Sequence, residues 1–314
     1  MPMRVQDSAP GLRSRPPRPP VPFWILVFVP LLLFPAFAAN QGVIEPGAKL
    51  ELLAEIFGFT EGPAADAEGN VFFTDQPYNR IYRWSVADQL TVFHDNAGRA
   101  NGLYFGKDGN LYACADLNNE IWRIDPSGKI TVLVKEYEGK RLNGPNDLWI
   151  DPKGGIYFTD PFYRRDYWTH TAMPQERQHV YYLSPDHKKL TRVAADLEQP
   201  NGIIGTPDGK RLYVADIRAA KTYVYDILPD GSLSNKRLFA SLGSDGMTMD
   251  EQENIYLTGK GVTVFNVRGE QIDQIEVPER WTANVTFGGK DRRWLFITAS
   301  DSLYRIRTRV RGAH

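Results

Sequence analysis

The chain has 314 residues, of which 42% are hydrophobic and 24% charged, and its formal net charge is −1. That length accommodates one large all-β domain or two ordinary domains. The N-terminal 38 residues contain four arginines and one aspartate, so the remainder carries 33 basic and 37 acidic groups. A mildly acidic body of this kind argues against nucleic-acid binding.

The N-terminal 39 residues have the pattern of an export signal. Arginines up to Arg18 precede an apolar stretch from Val21 to about Ala38, and small residues close it at Ala36, Ala38 and Ala39. Signal peptidase recognises these features, so residues 1–39 are predicted to be a signal peptide and the mature protein to be periplasmic or secreted. The alternative is that the segment is not cleaved and anchors the protein to a membrane. Three prolines interrupt the stretch and argue against that alternative.

A repeated pattern occupies most of the remaining chain. A small or polar residue opens a β-prone run, a turn rich in Gly and Asp follows, and a second β-prone run comes after the turn. The copies are separated by 40, 45, 55, 44 and 39 residues. A period near forty residues with several short strands per unit is typical of a β-propeller. We therefore predict an all-β fold, a single six-bladed β-propeller over residues 40–308, followed by a C-terminal tail, 309–314. The lead-in run LELLAEIF should supply a strand that closes the ring.

The residue at the head of each copy is the most informative position. The six head residues are Glu61, Asn101, Asn146, Asn201, Asp245 and Asn284. Equivalent positions of the blades are equidistant from the central axis, so six oxygen-bearing side chains should converge there. Such a hard, oxygen-only environment suits Ca²⁺, and none of the five histidines is a head residue, which disfavours zinc. The sequence thus predicts an axial divalent-metal site, Ca²⁺ being favoured over Mg²⁺, Mn²⁺ and Zn²⁺. The alternative is that these Asn and Asp residues only cap strand ends.

One long insertion, Phe162–His179, accounts for the extra length of the third repeat. A loop of this length without strands is often functional. We expect it on the same rim as the axial site, where Tyr163, Tyr167 and Trp168 would form apolar walls. Either Arg164 or Arg165 would attract an acidic substrate. The alternative is a packed surface loop.

Several short motifs in fixed order resemble those of the SMP-30/gluconolactonase family of six-bladed propellers, which includes regucalcin. The resemblance extends from about Phe57 to Arg305, and its carriers are FTEGP, RLNGPND, FTDP, QPNGI, SDGM and a late FGG. It implies that one divalent cation is bound by a Glu, two Asn and an Asp. Matched motif by motif, these ligands are Glu61, Asn146, Asn201 and Asp245.

The resemblance also implies a reaction, the hydrolysis of small-molecule sugar lactones. The cation would polarise the lactone carbonyl, and Asp245 would be the general base that activates water. Asp147, beside a ligand, is the reserve candidate. The residues assigned to substrate binding are Asn101, Asn284, Arg141 and Asn143.

Two other functions remain open at this point. A phosphotriesterase-like Ca²⁺ hydrolase uses a similar propeller, but a catalytic histidine commonly assists there. A non-catalytic propeller that binds a glycan or a peptide would not require two carboxylates and several amides in register on the axis. The lack of a histidine among the head residues disfavours the phosphotriesterase, and the carboxylates and amides in register disfavour the non-catalytic propeller. The lactonase is therefore the favoured function.

Overall fold

The computed structural model describes residues 42–314, so the predicted signal peptide lies outside the described residues and stays a prediction. The regular structure within residues 42–314 consists of strands, as predicted. No helix in this part of the chain has the length and apolar character needed to cross a membrane.

Six four-stranded antiparallel sheets form the blades, and a two-stranded hairpin lies between blades 2 and 3. Blade 1 contains β2 (Thr60–Ala65), β3 (Val71–Asp75), β4 (Arg80–Trp84) and β5 (Leu90–Asp95). Blade 2 contains β6 (Ala100–Phe105), β7 (Leu111–Ala115), β8 (Glu120–Ile124) and β9 (Ile130–Val134), and the hairpin contains β10 (Glu136–Tyr137) and β11 (Lys140–Arg141). Blade 3 contains β12 (Leu148–Ile150), β13 (Ile156–Asp160), β14 (His179–Leu183) and β15 (Leu190–Ala194). Blade 4 contains β16 (Pro200–Gly205), β17 (Arg211–Asp216), β18 (Lys221–Ile227) and β19 (Leu233–Ala240). Blade 5 contains β20 (Met247–Met249), β21 (Ile255–Gly259), β22 (Gly261–Phe265) and β23 (Gln271–Ile275). Blade 6 contains β24 (Thr282–Gly288), β25 (Trp294–Ala299), β26 (Ser302–Arg307) and β1 (Glu51–Glu55).

The first strands of the blades form the inner wall of the ring. Each contacts its counterpart in the next blade, and β24 contacts β2, which closes the circle. The lead-in strand β1 pairs antiparallel with β26, with Glu51 opposite Arg305, and so completes blade 6. The six-bladed propeller and the closing strand are both confirmed.

The hydrophobic core lies between neighbouring blades. The second strands are almost entirely buried, whereas an outer strand such as β5 has only half-buried and exposed residues, because each blade buries its faces only against the adjacent blades. Trp149, in the inner strand of blade 3, is 1% exposed and packs with side chains of blade 4. This packing fixes the inner strands against one another and therefore fixes the geometry at the axis.

Residues 309–314, predicted as a tail, pack against blades 5 and 6. The Glu251 N–H donates to the Arg311 carbonyl at 2.8 Å, and the Ala313 N–H donates to the Met249 carbonyl at 3.0 Å. We call the face where the inner strands begin the upper face and the opposite one the lower face. The C-terminal residues run along the lower face.

Candidate metal and active site

All six head residues lie at the upper ends of the inner strands. Four are within the first three residues of their strands, while Asn146 and Asp245 each precede a shorter strand by two residues. Five of the six are at most 6% exposed, and Asp245 is partly buried. The propeller thus concentrates polar side chains where ordinary packing would place apolar ones.

Glycines beside the head residues let the inner strands approach each other closely. Gly62 has a φ of +41°, and a Cβ there would lie 2.0 Å from the Asn101 carbonyl oxygen. A Cβ on Gly246 would lie 1.9 Å from the side-chain carbon of Asn284. Because these positions have no side chain, the head residues of neighbouring blades come together at the axis.

Asn201 and Asp245 form a hydrogen-bonded pair that leaves one oxygen free. The Asn201 Nδ2 donates to Asp245 Oδ1 at 2.8 Å and to the Tyr163 hydroxyl at 2.9 Å. These two bonds use both amide hydrogens, and Asn201 Oδ1 is buried with no hydrogen-bond partner. A buried, unpaired amide oxygen is costly unless a ligand satisfies it, so this atom is well suited to coordinate a cation.

Asp245 is oriented from both sides. Its Oδ2 accepts a hydrogen bond of 2.5 Å from Trp281 Nε1, and its Oδ1 accepts the bond from Asn201. Burial raises the pKa of Asp245 to about 6, although both hydrogen bonds lower it. The carboxylate is therefore held in one orientation at the axis.

Glu61 supplies the second carboxylate near the upper mouth. It is 4% exposed, and its Oε2 accepts a 3.2 Å hydrogen bond from the Gly62 N–H. Burial, followed by the negative charge of Asp245, raises the pKa of Glu61 well above its usual range. A bound cation would stabilise two neighbouring carboxylates that disfavour each other's charge.

The two remaining asparagines near the upper mouth differ in their contacts. Asn101 Oδ1 is buried and unpaired, as Asn201 Oδ1 is. Within the described residues, the Asn146 side chain makes no hydrogen bond, while its N–H donates to the Thr159 carbonyl at 3.0 Å. Both side chains are thus available to a ligand, and Asn101, predicted to contact substrate, also has the character of a cation ligand.

Asp147 and Asn284 form a second pair, which lines the channel running to the lower face. The Asn284 Nδ2 donates to Asp147 Oδ2 at 3.4 Å, and Asn284 Oδ1 accepts from the Val285 N–H at 2.8 Å. Burial raises the pKa of Asp147 to about 8. Both residues line a cavity of about 1210 Å³ that includes the lower ends of the inner strands. The predicted substrate residue Asn284 therefore contacts the reserve base Asp147.

Arg141 and Asn143 are not brought to the axis in the same way. Arg141 is exposed at the end of the small hairpin. Asn143 is fully buried: its Nδ2 donates to the carbonyls of Asp160 and Arg177, and its Oδ1 accepts from the Gln175 N–H. These contacts use the Asn143 amide to anchor the insertion, so the structure gives no support to its predicted substrate role.

The insertion lies at the upper rim, as predicted. The Tyr163 hydroxyl accepts the hydrogen bond from Asn201, and Trp168 Nε1 donates to the Asp116 carbonyl at 2.7 Å. Trp168 is buried and stacks on His170, with ring centroids 4.7 Å apart. The insertion is therefore a packed surface loop that reaches the axial site through Tyr163.

Two functional residues escaped the sequence reasoning. Trp281 orients Asp245, and Asp116 holds the insertion through Arg165, with an Nε to Oδ2 distance of 2.9 Å. Trp281 lies three residues before the head residue Asn284, and Asp116 follows the second strand of its blade, a position that is also Asp in blades 1, 3 and 4. That repeated Asp was visible in the sequence, whereas nothing marked Trp281.

The donor set fits a hard divalent cation. Near the upper mouth it comprises the carboxylates of Glu61 and Asp245 and the amide groups of Asn101, Asn146 and Asn201. A separate acidic group, Glu55, Glu279 and Asp301, has ligand atoms within 4.8 Å of one another. Its glutamate Glu279 accepts a hydrogen bond from the Tyr304 hydroxyl, and we do not include this group in the axial site.

The chain is similar to known proteins over most of its length. Residues 59–301 match the family model described as SMP-30/Gluconolactonase/LRE-like region. The chain belongs to this family. A gluconolactonase of Zymomonas mobilis subsp. mobilis is 29% identical over 303 residues, covering 87% of this chain and 85% of that protein. A lactonase of Staphylococcus saprophyticus is 29% identical over 237 residues, covering 70% of each. The solved structure of a Xanthomonas campestris gluconolactonase superimposes with a TM-score of 0.79 at 30% identity, over 86% of this chain and 92% of that one.

The axial carboxyls predict a pH-dependent response to the cation. Because burial raises the pKa of Asp245 to about 6, this carboxyl holds a proton near pH 5 in the cation-free protein. The raised pKa contributes stability at low pH that is lost as pH rises through it. Cation ligands must be deprotonated, so Ca²⁺ should raise the Tm more at pH 8 than at pH 5. Thermal melts in EDTA and in Ca²⁺ at both pH values would measure this, and equal increments would contradict it.

Proposed function

We propose that this protein is a divalent-cation-dependent hydrolase of sugar lactones, with Ca²⁺ as the physiological ion. The observation that carries the proposal is the buried, unpaired oxygen of Asn201 beside two carboxylates, the buried Glu61 and the partly buried Asp245. Membership of the family and similarity to proteins named as gluconolactonases and lactonases support the reaction class. We assign the cation to Glu61, Asn146, Asn201 and Asp245, with Asn101 as a neighbour that offers a further oxygen.

The residues of the site divide between holding the cation and handling the substrate. A bound divalent cation would polarise the lactone carbonyl. Asp245, fixed by Trp281 and Asn201, presents a carboxylate that orients water and accepts its proton as the water attacks the lactone carbonyl. The protonated carboxyl then returns the proton to the ring oxygen as the ring C–O bond breaks. Trp281 is 38% exposed, so Asp245 lies where the pocket meets solvent and a water molecule can reach it. Tyr163 narrows the mouth on the side of the insertion.

A pH-stat assay tests this function directly, because opening a lactone releases an acid. The purified mature protein should hydrolyse members of a panel of γ- and δ-lactones of aldonic acids. EDTA should lower the rate at least about 100-fold, and added Ca²⁺ should restore it, since a Lewis acid lowers the activation barrier by several kcal/mol.

Three outcomes would contradict the proposal. Undiminished lactonase activity after complete removal of divalent ions would reject the dependence on a cation. Hydrolysis of phosphotriesters but not of lactones would favour a phosphotriesterase. Binding of Ca²⁺ without hydrolysis of any lactone or ester would favour a non-catalytic propeller.

A further inference from the structure

The second strand of four blades is followed or ended by an aspartate, and one of the four differs from the others in its contacts. The carboxylates of Asp75, Asp160 and Asp216 accept hydrogen bonds from backbone N–H groups just before the inner strand of the same blade. Asp116, the equivalent residue of blade 2, instead accepts from side chains. In blade 2, therefore, the repeated aspartate is free to hold something other than its own blade.

Asp116 holds Arg165 of the insertion. Asp116 Oδ2 accepts hydrogen bonds from Arg165 Nε at 2.9 Å, from Gln76 Nε2 at 3.2 Å and from the Tyr167 hydroxyl. The Asp116 side chain is 3% exposed and that of Arg165 is 25% exposed. A charged side chain fixed by a buried partner loses little further freedom when it binds a ligand.

The guanidinium of Arg165 lies beside Tyr163, which contacts the axial site. Its carbon lies 5.6 Å from the centre of the Tyr163 ring, and the Tyr163 hydroxyl bonds Asn201. Its positive charge acts on both Glu61 and Asp245 and lowers the pKa of each against the larger effect of burial. Within residues 42–314 the two terminal nitrogens of Arg165 donate no hydrogen bond, so they remain available to a substrate.

Two arginines, Arg165 and Arg99, pack against tyrosines of the insertion on this side of the mouth. A divalent cation would neutralise Glu61 and Asp245, and Asp116 would neutralise Arg165. Arg99 adds a further positive charge, with its guanidinium 4.4 Å from the centre of the Tyr167 ring. Arginine presents paired N–H groups that match a carboxylate.

We infer that Arg165 is a specificity-determining residue of the axial site, one that binds a carboxylate substituent of the lactone substrate, and that Asp116 is its positioning residue. The preferred substrates are accordingly lactones of sugar diacids. This inference rests on the proposed lactonase function and deepens it by naming the substrate class.

A matched pair of substrates separates charge recognition from general catalysis. One is the γ-lactone of gluconic acid, and the other is its analogue in which a carboxylate replaces the terminal hydroxymethyl group. The measured quantity is the ratio of kcat/KM for the anionic lactone to that for the neutral one. In the Arg165→Gln variant this ratio should fall about 10-fold or more, the loss expected for a charge-assisted hydrogen bond.

Arg164 provides the matched control. It is the adjacent residue and it is exposed, so Arg164→Gln removes the same formal charge from the same segment without touching the site. Its ratio should stay within about twofold of the wild-type ratio, since exposed charges are screened. Asp116→Asn should lower the ratio as well, because it releases the guanidinium while leaving its charge in place.

The ratio in Arg165→Lys keeps the inference testable if the glutamine variant does not fold. Lysine retains the charge but not the paired donors, so the ratio should fall by about threefold or more. An unchanged ratio in either Arg165 variant, with lactonase activity retained, would overturn the inference, as would an equal fall in Arg164→Gln. A wild-type protein that hydrolyses neither lactone would instead refute the proposed function.

Discussion

Replacing Asp245 by Asn is expected to lower kcat for lactone hydrolysis by at least about 100-fold, the lower range for a general base. Both oxygens of the Asp245 carboxylate accept hydrogen bonds, from Asn201 Nδ2 and Trp281 Nε1. An asparagine would place its own NH₂ group against one of these donors, so the side chain would lose its fixed orientation as well as its charge. The rate should be measured by pH-stat at Ca²⁺ concentrations raised until the activity no longer changes.

Glu61→Gln is the matched comparison for Asp245→Asn, because each removes one of the two carboxylates near the upper mouth. The Glu61 variant should bind Ca²⁺ more weakly in a calorimetric titration but recover most of its rate at saturating Ca²⁺, since Glu61 serves the cation only. The Asp245 variant should not recover. Full recovery of Asp245→Asn would leave Asp245 as a ligand alone and make Asp147 the candidate base.

Replacing Gly62 by Ala is expected to have the largest effect on stability. The new methyl group would lie 2.0 Å from the Asn101 carbonyl oxygen, a backbone atom, and the residue would keep a φ of +41°. Overpacking and left-handed strain together should lower the free energy of unfolding by about 2–4 kcal/mol. Thermal denaturation followed by circular dichroism should show a decrease in Tm of about 5–10 °C.

Gly109→Ala separates the two contributions to that loss. Gly109 has a φ of +75°, but a Cβ there would have no neighbour within 4 Å. Its cost should therefore be that of the left-handed conformation alone, about 1 kcal/mol. A Gly62→Ala protein as stable as Gly109→Ala would show that the inner strands can move apart at no cost, contrary to the tight axis described above.

The sequence predicted the architecture well because a propeller is encoded by local signals that repeat. Turn residues, β-prone runs and the spacing near forty residues are all short-range features, and they indicated six blades and the closing strand β1. The shared position of Glu61, Asn101 and Asn201 at strand starts then followed from the repeat. Symmetry alone placed these side chains near one axis, before any contact was known.

The sequence could not assign the role of a residue that depends on particular contacts. Asn143 was expected at the substrate, but its amide anchors the insertion through Asp160, Gln175 and Arg177. An Asn near a head residue looks the same in sequence whether it points to the axis or into a loop. Only the path of the insertion over blade 3 distinguishes the two.

The sequence by itself determined the number of blades, the closing strand and the set of oxygen-bearing residues at the axis. The tertiary structure decided which of these oxygens are free and what orients them. Asn284 bonds Asp147 across 137 residues of chain, Trp281 bonds Asp245 across 36, and Asp116 holds Arg165 across 49. Such contacts join residues of different blades that meet only in the folded ring, so no local pattern of residues encodes them.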